Sequence, residues 1–267
     1  MKNNTVTILG ARGSVSVSGA AFSRYGGATT CVLVCLGGET VVLDAGTGLL
    51  HLPEELLSLP ELPLLLSHPH VDHLIGLPMC AYALHPGAHL ALYAASRGGL
   101  DARAQVERLL SPPLWPVGPE ALPGRISWHE LPAALRFGPL RVDTMEGVHP
   151  GGVTLLRLTG GGKRVVFATD CTLTEALLPD LRAFAADCDL LLCDGQYSDG
   201  EWCASAAFGH SRWTDAARLA RDCGAKQARI LHHDPRHTDD MLDAAEAEAA
   251  RICPQCRFAR EGEVICL

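Results

Sequence analysis

The segment Leu64-Leu65-Leu66-Ser67-His68-Pro69-His70-Val71-Asp72-His73 places three histidines and an aspartate within six residues, directly after an apolar, strand-like run. Core stability gives no reason for that density, because imidazole and carboxylate bury poorly unless they are paired or bound to a metal. The spacing adds geometry. His68 and His70 are two apart in an extended stretch and project to one side, whereas Asp72 and His73 are adjacent and diverge. The first pair suits one ion and the second pair another ion beside it. The segment reads as a metal site, against the alternative of a solvated loop that is merely rich in histidine.

Short strands with Gly-rich turns fill the N-terminal third: Val6–Leu9, Cys31–Leu36 and Thr40–Leu43, the last running into Asp44-Ala45-Gly46-Thr47-Gly48. A Leu-rich stretch over His51–Leu59 reads as a helix, and Leu62–Leu66 as the strand that feeds the histidine loop. Leu100–Leu110 has helical spacing and is stopped by Ser111-Pro112-Pro113; the Pro-bearing stretch to Pro123 reads as irregular, a lid or a cleft wall. Strands are expected at Leu140–Met145, Thr154–Leu158, Arg164–Ala168, Leu190–Cys193 and Ala228–Leu231. Helices are expected at Thr174–Ala186, Thr214–Cys223 and Asp239–Arg251. Strands mixed with helices throughout give a layered α/β fold. With no repeat, low-complexity tract or linker, residues 1–267 read as a single domain.

Four ligands from one loop hold one ion well or two ions poorly, so further donors are sought at strand ends, where α/β folds place their chemistry. His149 follows Leu140–Met145, Asp170 closes Val165-Val166-Phe167-Ala168-Thr169, and His232 closes Ala228–Leu231. The seven donors divide naturally: His68, His70 and His149 for one ion, Asp72, His73 and His232 for the other, with Asp170 bridging. Each ion keeps an open position for a shared water. His233 competes with His232; an apolar strand ending at Leu231 puts His232 first at the edge and favours it.

The His68-x-His70-x-Asp72-His73 loop, followed by His149, Asp170 and His232, resembles the metallo-β-lactamase superfamily over nearly the whole chain. Asp44-Ala45-Gly46-Thr47-Gly48 is similar to its first motif, whose Asp steadies the metal-binding loop. Gly10-Ala11-Arg12-Gly13-Ser14, Tyr25-Gly26-Gly27-Ala28-Thr29-Thr30-Cys31 and Leu231-His232-His233-Asp234-Pro235 resemble a bacterial branch near the cyclic-phosphate phosphodiesterases and tRNase Z. Gly209-His210-Ser211 is similar to a His-Ser motif of tRNase Z. The branch usually has Asn where Ala28 stands, so a contact from that amide is lost here. Lactamases proper use Cys where Asp170 stands, which favours the phosphodiesterase side.

The resemblance implies an αββα four-layer sandwich with two divalent ions, zinc first and manganese or iron as alternatives, at one edge of the packed sheets. It implies hydrolysis of a small cyclic phosphate or nucleotide by a metal-bridging hydroxide. Asp72 and Asp170 are candidates to relay the proton, and His210 to contact the phosphate or protonate the leaving oxygen. Asp44 is a candidate partner for a ligand histidine, and Arg12 for a phosphate oxygen, against turn and solvated readings respectively.

Composition narrows the partners. A formal net charge of −8 argues against broad attraction to nucleic-acid phosphates, and no apolar run approaches the length needed to span a bilayer. A small phosphodiester substrate and a cytoplasmic location are expected; a homodimer stays open. The odd count of 11 scattered cysteines reads as reduced, mostly buried thiols, and Cys253-Pro254-Gln255-Cys256 lacks a second ligand pair for a structural zinc. Two alternatives keep the fold: a thioester or lactone hydrolase with an acyl pocket from Leu109–Leu122, and a metal-binding sensor without catalysis.

Overall fold

The computed structural model describes residues 4–267. Its first sheet takes β1 (Thr5–Gly10), β2 (Cys31–Leu36), β3 (Glu39–Leu43), β4 (Leu62–Leu66), β5 (His89–Ala94) and β6 (Arg125–Glu130) in sequence order. Its second takes β7 (Ala134–Phe137), β8 (Leu140–Gly147), β9 (Val153–Gly160), β10 (Lys163–Ala168), β11 (Leu190–Asp194), β12 (Ala228–Leu231) and β13 (Cys256–Phe258), again in sequence order. The last strand, β14 (Val264–Cys266), returns to pair antiparallel with β1. Pairing is parallel from β3 to β6 and from β10 to β13, and antiparallel elsewhere.

The strands read as continuous apolar runs because both faces of each sheet are covered. Along β4, Leu62, Leu64 and Leu66 pack outward with Tyr82 and Val106, while Leu65 packs inward among Val41, Phe167 and Leu192. Along β11, Leu190 and Leu192 join that same inner layer, and Leu191 and Cys193 face Trp213 and Leu242 on the opposite side. Each such leucine is worth ~1.5–3 kcal/mol of burial. Helices Leu178–Ala185, Trp213–Asp222 and Asp239–Ile252 cover the second sheet, and Ala102–Leu109 covers the first. The layers are therefore αββα.

The structure departs from the sequence reading locally. His51–Leu59 is not a helix but two 3₁₀ turns, Thr47–His51 and Glu54–Ser58, because Pro53 lacks an N–H and holds Leu52 extended (ψ 131°). The helix expected from Thr174 starts at Leu178 with Pro179 in its first turn, where the missing N–H costs nothing. Strands β5, β6, β7, β13 and β14 lie beyond the sequence expectation. β6 carries Arg125, Trp128, His129 and Glu130 on a half-exposed edge, and β13 and β14 are three residues each, too short for a pattern. All 11 cysteines are free, and Cys253 and Cys256 are buried in the outer core. No helix among the described residues is long and apolar enough to cross a membrane.

Candidate metal centre

Five strand ends meet at one edge of the sandwich. The loop after β4 brings Ser67 to His73, and the ends of β8, β10, β11 and β12 bring His149, Asp170, Asp194 and His232. The edge is stitched across the sheets by Thr154 N–H donating to Ser67 O at 2.9 Å. Asp44, Asp170 and His232 all take positive φ (60°, 47° and 65°). Asp and His tolerate that region better than most residues, but each such position costs of order 1–3 kcal/mol and persists only where packing enforces it.

The donors fall into two groups that share one carboxylate. His68, His70, His149 and Asp170 have ligand atoms within 4.8 Å of one another, and so do Asp72, His73, Asp170 and His232. Asp170 Oδ2 is the common atom: it lies 3.0 Å from His232 Nε2, 3.2 Å from His73 Nε2, 3.6 Å from His68 Nε2 and 3.9 Å from His149 Nε2. His149 Nε2 and His70 Nδ1 are 3.0 Å apart, about the separation of two nitrogens each ~2.0–2.1 Å from one ion.

Most of the rings are aimed from behind. His73 Nδ1 is 2.8 Å from Asp44 Oδ2, His149 Nδ1 is 2.8 Å from Gly209 O, and His232 Nδ1 is 3.1 Å from Gln196 Oε1. His68 Nδ1 meets Ser67 Oγ at 3.0 Å, and Asp44 in turn accepts from Ser67 N–H at 2.7 Å and Ser67 O–H at 2.8 Å. Asp72 Oδ2 accepts the Ser14 N–H at 2.8 Å. This is the arrangement that fixes tautomer and direction in metal-binding histidines. Gly13 lets the chain pass His232: a Cβ there would stand 2.2 Å from Nδ1.

Whether a metal fits can be asked of the atoms themselves. His68 Nε2 points into the cluster, is buried, and has no hydrogen-bond partner, Asp170 Oδ2 being 3.6 Å away. Leaving such a group unsatisfied costs about 1–3 kcal/mol, which a coordinated cation would offset. The electrostatics agree. Burial opposes charge on His73 and His232, yet Asp170 and Asp72 override it, pushing His73 well up and His232 up to about 10. Both carboxylates stay ionised despite burial because His73 and His232 face them. Burial, then neighbouring imidazoles, pushes His68 and His70 down, and burial lowers His149 too. One half of the cluster demands positive charge and the other offers neutral imidazoles, as cation binding requires. The residues fit two divalent ions.

His210 lies against this cluster. Its ring stacks on His232 at 4.6 Å and sits edge-on to His149 at 5.1 Å, while its Nδ1 is 2.7 Å from Asp194 Oδ2. Asp170, Asp194, His210 and His232 form a third donor group. Sequence reading missed Asp194 and Gln196. Asp194 ends β11 as Asp170 follows β10, so the strand-end rule would have found it had that strand been carried one residue further. His233 turns away from the cluster: its Nε2 meets Ala259 O at 2.8 Å and its ring stacks on Phe258. Arg12 neither contacts the cluster nor is solvated. It is fully buried and donates to the carbonyls of Gly26, Asp234 and His237. Leu122, from the stretch considered as an acyl pocket, lines a separate cavity with Arg103, Glu120 and Arg125, which shares no residue with the cluster.

Comparison with known proteins follows the same edge. The family model described as "Beta-lactamase superfamily domain" matches residues 39–233, a span that holds all seven donors. The chain belongs to the metallo-β-lactamase superfamily. This superfamily member is 24% identical over 235 residues to the "Probable metallo-hydrolase YhfI" of Bacillus subtilis (strain 168), covering 85% of this chain and 86% of that one. The crystal structure of YhfI superposes with a TM-score of 0.74 at 21% identity, covering 99% of both chains. A diphosphatase from the PhnP family gives a TM-score of 0.68 at 18% identity, again covering 99% of both. Ribonuclease Z of Treponema pallidum (strain Nichols) is 28% identical over 100 residues, 38% of this chain and 31% of the enzyme. Membership supports a metal-dependent hydrolase.

Proposed function

We propose that this metallo-β-lactamase superfamily member is a dinuclear metal-dependent phosphodiesterase acting on a small cyclic phosphate or nucleotide. The observation that carries the reading is Asp170 Oδ2 between the two histidine groups, 3.0–3.9 Å from four ring nitrogens. A carboxylate shared in this way would be a ligand common to two divalent cations, which would supply the charge needed beside a phosphoryl group. The names of two relatives, a diphosphatase and a ribonuclease Z, point toward phosphorus–oxygen bonds as well.

His68, His70 and His149 would hold one ion and Asp72, His73 and His232 the other, with Asp170 bridging; zinc suits the imidazoles, and manganese or iron suits the carboxylates. Bound there, divalent ions make a water acidic enough to attack at neutral pH and offset charge on the phosphoryl oxygens. The rest falls to the chain. Asp72, held at Oδ2 by Ser14 N–H and facing His232 Nε2 at 3.1 Å, accepts the proton released on attack. His210, steadied at Nδ1 by Asp194, presents Nε2 to the leaving oxygen and delivers a proton there.

A substrate panel tests the reading. With Zn²⁺ or Mn²⁺, the protein should hydrolyse bis(p-nitrophenyl) phosphate and a 2′,3′-cyclic nucleotide, and should leave S-acyl glutathione and homoserine lactones untouched. Turnover of a thioester or lactone without any phosphodiester would reassign the bond.

A further inference from the structure

Beside the cluster opens a cleft of about 390 Å³ whose lining includes Ser14, Gln196, Phe208, His210, Asp234 and Arg236. Phe208 and Arg236 have no part in the chemistry above. Phe208 is 63% exposed, unusual for so large an apolar group. It ends the turn Ala206–Phe208, and Gly209 then turns back at φ 91°. A Cβ on Gly209 would stand 2.1 Å from Pro150 Cδ and 2.5 Å from His149 Nδ1, so the Phe208 turn is seated directly on a proposed ligand.

Arg236 is the second. Its side chain is 72% exposed, yet its guanidinium is fixed: Nε and Nη2 each donate to Asp234 at 2.8 Å, and its backbone N–H donates to Asp234 Oδ1 at 2.8 Å. Asp234 is buried and its Oδ2 also accepts from Gln196 Nε2 at 3.4 Å. Asp234 takes the Nε and Nη2 donors of a residue that lines the cleft, and Nη1 is left without a hydrogen-bond partner in the protein. A fork held rigid before a ligand arrives loses little entropy on binding an anion.

We propose that this cleft is a subsite for a second anionic group, received by Arg236, next to a ring that lies on Phe208. The substrate class is then a small phosphodiester that carries a further phosphate, such as a phosphorylated nucleoside diester. The inference rests on the phosphodiesterase reading for the reacting bond, but the subsite can be measured without turnover.

The zinc-loaded protein is titrated calorimetrically with thymidine 3′,5′-bisphosphate and with thymidine 5′-monophosphate. One charge-assisted contact should favour the bisphosphate about tenfold. Arg236→Gln should bring the two affinities together, Arg236→Lys should keep part of the preference, and Phe208→Ala should weaken both ligands alike. An unchanged melting temperature shows that each variant keeps the fold. Equal affinities in the wild-type protein, or a preference that survives Arg236→Gln, would overturn the subsite. In parallel, bis(p-nitrophenyl) phosphate turnover reports on the reaction alone. Its absence with the preference intact removes the phosphodiesterase reading and leaves the subsite standing.

Discussion

The Asp44 carboxylate lies 2.8 Å from His73 Nδ1 and at the same time receives both the N–H and the O–H of Ser67. One buried side chain therefore sets the ring direction of a proposed ligand and the start of the loop that supplies three more. Asp44→Asn keeps the shape but removes the charge and puts an amide donor where an acceptor is required. Zinc affinity, read by competition with a chromophoric chelator, should fall by about 10–100-fold. Unchanged affinity would mean that Asp44 only shapes the turn.

Gly13 passes His232 so closely that an added Cβ would stand 2.2 Å from Nδ1 and 2.3 Å from Cε1. Gly13→Ala should displace the ring from Asp72 and Asp170. A displacement near 1 Å is worth about a hundredfold in rate. Phosphodiesterase assays with saturating zinc should show that loss, along with less metal retained after dialysis.

His210 touches the cluster through ring stacking, and its Nδ1 is committed to Asp194. If it delivers the proton to the leaving oxygen, His210→Ala lowers kcat by about 10²–10⁴-fold with metal content unchanged. The loss should be smaller for p-nitrophenolate, which departs without help, than for an alkoxide leaving group. Equal losses for both would assign His210 a binding role.

Acid sensitivity has a source outside the cluster. His233 is fully buried; burial pushes its imidazole down to about 3, with Arg12 adding to that against the Ala259 hydrogen bond. The unfolded chain, with an ordinary imidazole value of 6.5, takes up this proton before the folded one does. The neutral ring's contribution is present in full above that pH and is lost as pH falls from there toward 3. His233→Gln should flatten the fall of the urea midpoint between pH 6.5 and pH 4 relative to wild type, measured on metal-free protein. An identical slope would place the acid sensitivity elsewhere.

Much of the sandwich was legible because strands covered on both faces show as bare apolar runs: β2, β4, β10, β11 and β12 announce themselves, and the C-terminal ends of the last four mark the edge that holds the site. That rule pointed to His149, Asp170 and His232 as well. The edge strand β6 was not legible, since its polar side chains satisfy water on one side and carry no period. Asp194 escaped only because β11 was ended one residue short, whereas Gln196 holds His232 from behind and has no spacing of its own; only the fold brings the two together. Arg12 misled for a related reason. A loop arginine looks solvated until three backbone carbonyls are seen to receive it.

Two ions joined through Asp170 should act together on a phosphodiester. Metal-free protein titrated with Zn²⁺ or Mn²⁺ while bis(p-nitrophenyl) phosphate hydrolysis is followed tests this most directly. Little turnover is expected through the first equivalent, with a plateau at about two ions per chain and no recovery in Asp170→Ala at any metal level. Full activity at one equivalent, or turnover that survives Asp170→Ala, would contradict it.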